Sequence, residues 1–200
     1  MKRFFSLIIF SLLFGFTLLA QGYKLGDKAM DFRLLNVDGK MVSMADYPDA
    51  KGFIVIFTCN HCPYSVAYED RKIALSKQFE PLGYPVIAIN PNDSTLQPKD
   101  SYSQMIVRAN EKQFPYPYLL DADQSVFKTY GATRTPHVFI INKEEGELIV
   151  RYIGAIDNNY EDADEVTEKY VEAAIASLQK GENPDPAFTK AVGCTIKFKK

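Results

Sequence analysis

The feature that most constrains this chain is Phe53-Ile54-Val55-Ile56-Phe57, an unbroken apolar run that ends directly on Thr58-Cys59-Asn60-His61-Cys62-Pro63. Without polar–apolar alternation, a β-branched and aromatic run of this kind suits a strand covered on both faces, as in a parallel or mixed sheet between helices. Two cysteines at the exit of such a strand put sulfur at the edge of a buried sheet. Downstream, Tyr68, Leu75 and Phe79 fall on one face of a helix reading from Tyr64 to Phe79, stopped by Pro81-Leu82-Gly83. Pro85-Val86-Ile87-Ala88-Ile89 is a second buried strand. The three elements make a βαβ unit, for which a right-handed crossover is expected.

The flanking sequence extends this α/β pattern. Phe32–Val37 and Met41–Met44, separated by Asp38-Gly39-Lys40, read as an N-terminal β-hairpin. Asn90–Asp100 is a polar, proline-containing loop, Tyr102–Gln113 a helix, and Asp123–Tyr130 a short helix ended by Gly131. Val138–Ile141 and Leu148–Ile153 read as strands joined through Lys143-Glu144-Glu145-Gly146. A last helix is expected from about Tyr160 to Leu178, with Val166, Tyr170, Ala174 and Leu178 on one face and the acidic run Glu161–Glu165 at its start. No repeat or linker interrupts the 200 residues, so one domain is expected over 21–180, followed by a C-terminal tail, 181–200, that carries Cys194.

The first 20 residues stand apart. Lys2 and Arg3 precede a largely apolar run from Phe4 to Ala20, the pattern of a secretory signal peptide with a cut expected after Ala20. The competing reading is a membrane anchor over 4–20, although the run falls short of the roughly 20 residues that span a bilayer. Either way the remainder is expected in an extracytoplasmic, periplasmic-type compartment. The net charge of −2, without a basic patch, excludes nucleic acid as a partner.

Of the three cysteines, Cys59 and Cys62 form a Cys-x-x-Cys pair. Three is an odd number, which points to redox or metal chemistry rather than a disulfide framework. At a helix N-terminus the backbone N–H groups favour a thiolate, so Cys59 is expected to be the exposed nucleophile and Cys62 the resolving thiol one turn further in. His61 between them is placed to stabilise the attacking thiolate, which makes a disulfide more oxidising. A second piece is Gly131-Ala132-Thr133-Arg134-Thr135-Pro136 ahead of the strand at Val138.

With these segments in view, residues from about Lys24 to Leu178 resemble the redoxin group of thioredoxin-like proteins. That group includes peroxiredoxins and exported disulfide reductases. The segments that match are Phe32-Arg33-Leu34 with Asp38-Gly39-Lys40, the cysteine pair, Gly131–Ile141 and Gly146–Gly154. The resemblance implies a thioredoxin-like fold: a central mixed β-sheet flanked by helices, with an N-terminal β-hairpin. It implies a cis peptide before Pro136, facing the cysteines, with Thr135 offering its N–H and C=O to a substrate strand. His before the second cysteine is also found in bacterial disulfide oxidases and protein disulfide isomerases, and implies a pair more oxidising than ordinary thioredoxin. The chain departs from the pattern in having Thr58 where many relatives have Trp, and Pro63 after rather than between the cysteines. Peroxiredoxins carry a Thr three residues before the peroxidatic Cys, and here Cys59 holds that position relative to Cys62.

The expected activity is therefore thiol–disulfide exchange by an exported oxidoreductase, with no cofactor, protein thiols and disulfides as substrates, and a membrane electron donor if it acts as a reductase. The expected site is Cys59, Cys62, His61, Thr135 and Pro136. A peroxiredoxin-like thiol peroxidase is the alternative. A copper-delivery module is a third reading, since the only histidines, His61 and His137, both flank the site. Structural zinc is disfavoured because there is no second cysteine pair. Cys194 is read either as a resolving thiol or as a packed residue holding the tail.

Overall fold

The computed structural model describes residues 22–199, so the basic and apolar leader, 1–20, lies outside the described residues. A seven-stranded mixed sheet forms the centre, in the order β2-β1-β5-β4-β3-β7-β8. Its members are β1 (Leu34–Asn36), β2 (Met41–Val42), β3 (Gly52–Phe57), β4 (Val86–Asn90), β5 (Tyr118–Leu120), β7 (His137–Glu144) and β8 (Glu147–Gly154). A separate two-stranded ribbon pairs β6 (Arg134–Thr135) with β9 (Cys194–Thr195).

The apolar run at 53–57 is the sheet's middle strand. β3 runs parallel to β4, with Val55 opposite Ile87, and antiparallel to β7, with Val55 opposite Phe139. Every residue of β3 is buried. Its side chains alternate: Phe53, Val55 and Phe57 enter one core layer with Tyr130 and Phe139, and Ile54 and Ile56 enter the other with Tyr68, Leu75 and Phe79. That double coverage is why the strand shows no polar alternation. The second layer is closed by α2 (Glu69–Phe79), α3 (Tyr102–Lys112) and α5 (Tyr170–Gln179), and the first by α4 (Ser125–Tyr130).

Two expected helices need correction. The helix expected over 64–79 is two: α1 (Pro63–Ala67) and α2 meet at Tyr68, which ends one and begins the other. The helix expected from Tyr160 starts only at Tyr170. Its expected first half is a loop held by side-chain to backbone bonds that compete with a helix. Asn159 Oδ1 accepts from the N–H groups of Glu161 and Asp162, and Asn158 Oδ1 accepts from those of Thr167 and Glu168. Strand β5 had no counterpart in the sequence reading, because three residues between Pro117 and Asp121 are too few to show a period.

The C-terminal segment, 181–200, returns over the domain as far as it is described. Thr189 and Ala187 bond to the backbone of Ile153, β9 pairs with β6, and Ile196 is buried.

Candidate active site

The site is built where β3 ends. The strand leads into the loop 58–62, which carries Cys59, and α1 begins at Pro63 with Cys62 as its N-cap. Proline is preferred at the first helical position because its missing N–H would be unpaired there anyway. The helix start therefore falls one residue after Cys62, so it is Cys62, not Cys59, that sits at the N-terminus. Nor is Cys59 exposed as expected: it is 3% accessible and Cys62 0%.

The peptide between Thr135 and Pro136 is cis, and Thr135 is fully buried against both sulfurs. Its hydroxyl Oγ1 lies 3.2 Å from Cys59 Sγ, and its carbonyl oxygen 3.1 Å from Cys62 Sγ. The sequence-expected residues Cys59, Cys62, His61, Thr135 and Pro136 are thus gathered in one place. The bonding is different from the expected Cys59–Cys62 closure. Cys62 is joined to Cys194, and Cys59 is a free thiol.

His61 stands beside Cys59 with its Nδ1 3.6 Å from Sγ and 2.5 Å from Asp100 Oδ2. One ring nitrogen thus faces both a sulfur and a carboxylate. The hydrogen bond to Cys59 and the charges of Cys59 and Asp100 favour the imidazolium, so His61 titrates above its ordinary value despite partial desolvation. Asp100 is fully buried and organises the loop: it accepts from the backbone N–H of Asn60 (2.8 Å) and His61 (3.2 Å) and from Asn92 Nδ2 (2.7 Å).

A second buried charge lies on the other side. Lys72, 2% accessible, donates from Nζ to Thr58 Oγ1 (2.8 Å) and to the Ser65 carbonyl (3.2 Å). Burial pulls its ammonium down to about 8, against the opposing pull of Glu69 and Cys59. Glu69 is itself clamped by Arg108 through two 2.7 Å bonds.

Sequence reasoning missed Asp100 and Lys72. Nothing in the loop 90–100 marks its last aspartate, whose role depends on a contact 39 residues away. Lys72 did leave a signal: it interrupts the apolar stripe Tyr68, Leu75, Phe79, where a lysine needs partners to be buried. His137, by contrast, packs away from the sulfurs. Its ring packs against Phe139 at a 48° tilt, its Nδ1 accepts from the Thr133 N–H, and burial lowers it to about 4. Among the described residues, the ligand-type side chains that converge are Cys59, His61 and Asp100. The set suggested for copper, two thiolates with both histidines, is not assembled.

The AhpC/TSA family model matches residues 25–153, which include the cysteine loop, the cis-proline and most of the sheet. The chain belongs to the AhpC/TSA family. It is 26% identical over 157 residues to the thiol-disulfide oxidoreductase ResA of Bacillus cereus (strain ATCC 10987 / NRS 248), covering 74% of this chain and 83% of that protein. A crystal structure of an uncharacterised conserved protein from Geobacillus kaustophilus superposes with a TM-score of 0.81 at 33% identity, covering 88% of this chain and 93% of the other. The pneumococcal exposed lipoprotein thioredoxin Etrx1 from Streptococcus pneumoniae strain TIGR4 shares the fold at 24% identity and a TM-score of 0.50, over 60% of this chain and 86% of that one. The fold is therefore thioredoxin-like, as the redoxin resemblance implied, and the relatives support an oxidoreductase activity.

Proposed function

We propose that the chain is an exported thiol–disulfide oxidoreductase that acts by dithiol–disulfide exchange through Cys59 and Cys62, assisted by His61, Thr135 and Pro136. The observation that carries this reading is a free thiol and a disulfide sulfur held on one residue: Cys59 and Cys62 both contact Thr135, at 3.2 and 3.1 Å. In exchange, a thiolate attacks one sulfur of a disulfide along the S–S axis, a new S–S bond forms, and the displaced sulfur leaves as a thiolate. His61 sets a ring nitrogen beside the Cys59 sulfur, where an imidazolium stabilises the developing charge of the exchange, and Asp100 holds His61 in place.

Proteins with exposed cysteines or disulfides are the substrates. The leader Lys2–Ala20 supports an extracytoplasmic location. Among the described residues no helix is long and apolar enough to cross a membrane. If electrons flow outward to substrates, a membrane donor supplies them. The test is turnover of insulin disulfides with dithiothreitol. Cys59→Ser is expected to lose at least about a hundredfold, because one step of the exchange is then blocked. A variant that keeps full turnover would refute the reading.

A peroxidase is the second reading, favoured by one observation: Cys62 caps α1 and is bonded to a remote cysteine, the product expected when a sulfenic acid on Cys62 condenses with Cys194 and releases water. Peroxide consumption that is fast in Cys59→Ser and absent in Cys62→Ser would select it over exchange.

A further inference from the structure

We infer that the C-terminal strand β9 occupies the position of a substrate strand, so that Cys62 is the sulfur that faces substrate, Cys59 is the resolving thiol, and external substrates must displace the chain's own Cys194. The inference rests on the exchange reading and assigns its order of events. It reverses the roles expected from the sequence.

Four observations carry it. First, Thr135 offers its backbone edge at the cis-proline, and that edge is taken: Thr135 lies opposite Cys194, and Arg134 opposite Thr195, in antiparallel register. An extended segment that adds to an exposed edge is a recognised mode of peptide binding, in which the main chain supplies affinity and the side chains supply specificity. Second, the cysteine at the paired position is covalently attached to Cys62 and not to Cys59. The arrangement is that of a mixed disulfide between enzyme and a bound strand. Third, the sulfurs are closed off. Cys59, Cys62 and Thr135 are 3%, 0% and 0% accessible, so no other polypeptide reaches them while β9 is seated. Fourth, the residue before Cys194 is Gly193, and a Cβ there would overlap the Thr135 carbonyl. The chain's own strand thus sits on Thr135 at an approach that only glycine allows before its cysteine.

The segment beyond β9 secures it. Lys197 donates its N–H to Asn92 Oδ1 (2.7 Å), its carbonyl accepts from the Asp93 N–H and from Gln124 Nε2, and Arg134 donates to Thr195 Oγ1 (2.6 Å). Asn92 also bonds Asp100, the partner of His61, so the seat of the strand is joined to the residues around Cys59.

The resolving step balances without an added oxidant. The Cys59 thiolate attacks Cys62 Sγ, the Cys59–Cys62 bond forms, the Cys62–Cys194 bond breaks, and Cys194 leaves as a thiolate that takes a proton from solvent. The chain remains at the same oxidation level, and β9 is then held only by its hydrogen bonds. An external substrate strand follows the same course with its cysteine in place of Cys194.

The test uses insulin as the disulfide probe with two full-length double variants, analysed by mass after acid quenching. Cys59→Ser with Cys194→Ser is expected to accumulate an insulin adduct on Cys62 at least tenfold above the adduct formed on Cys59 by Cys62→Ser with Cys194→Ser. Adduct mainly on Cys59 overturns the assignment and leaves the exchange reading intact. No adduct on either overturns both. In the wild-type chain, hydrogen exchange at Arg134–Thr135 and Cys194–Thr195 is expected to rise at least tenfold on reduction. Gly193→Ala, with all three cysteines retained, is expected to show that rise without reduction and to react several times faster with insulin. Unchanged protection of β6 and β9 on reduction, with Gly193→Ala no faster than wild type, overturns the inference while exchange still stands.

Discussion

In the proposed exchange, His61 is the residue whose protonation state bears on the sulfur beside it. Its pKa is raised, so its contribution to the folded state is complete below the ordinary value of about 6.5 and is lost as the pH climbs through the raised value. In a Cys62→Ser/Cys194→Ser background, where Cys59 is the one cysteine, His61→Ala is expected to slow alkylation of Cys59 by iodoacetamide at pH 7 about tenfold, the scale of removing one neighbouring charge. An equal rate in both would show that the 3.6 Å contact does not matter. His137 has the opposite sign. Burial lowers it to about 4, so it stays neutral in the fold while the unfolded chain takes up a proton below 6.5. Stability is then lost as pH falls from 6.5 toward 4, by at most roughly 3 kcal/mol. Denaturant titrations of His137→Gln across that range should show a flatter slope than wild type, and the same slope would contradict this account. Both histidines were visible in the sequence as neighbours of the cysteines. That they act oppositely was not, because the difference lies in Asp100 beside one and Phe139 beside the other.

At the scale of elements, the central strands were legible through their burial, and the β1–β2 hairpin through its Asp38-Gly39-Lys40 turn. β3 declared itself because two core layers impose apolar side chains at every position. Its first residue shows the same constraint at closer range: a Cβ on Gly52 would overlap the Ile141 carbonyl and the Tyr84 ring. Gly52→Ala is expected to cost about 3 kcal/mol, the upper part of the range for overpacking, since backbone on the facing strand must move. Chemical denaturation measures it, and a loss below about 1 kcal/mol would show that β3 and β7 separate easily. Elements that depend on partners remote in sequence were not legible. The strand β5 has three residues, and β9 has two and exists only against β6. The missing first half of the last helix was a local conflict: its acidic residues satisfy a helix start, but Asn158 takes the N–H groups of Thr167 and Glu168 that such a helix would need for its own ladder.

For the whole molecule, the bond from Cys62 to Cys194 ties the start of α1 to the end of the chain, 132 residues apart. In the chain-entropy view, a closure of that length restricts the unfolded state by about 5 kcal/mol. Cys194→Ser is therefore expected to lower the denaturant midpoint of the oxidised chain but not of the reduced chain, and a loss of equal size in both would mean that packing around Cys194, not the bond, matters. The sequence left Cys194 open between a resolving thiol and a packed residue, because nothing along the chain says what a distant cysteine meets. The fold answers by bringing all three cysteines to Thr135 and its β-partner.

The central claim is exchange among these sulfurs, and the most direct measurement is disulfide mapping of the wild-type chain, acid-quenched during insulin turnover. A Cys59–Cys62 peptide is expected to appear alongside Cys62–Cys194, in proportions that shift with the thiol-to-disulfide ratio of the medium. Cys59 found as a free thiol at every time point, with Cys62 bonded to Cys194 alone, would contradict it.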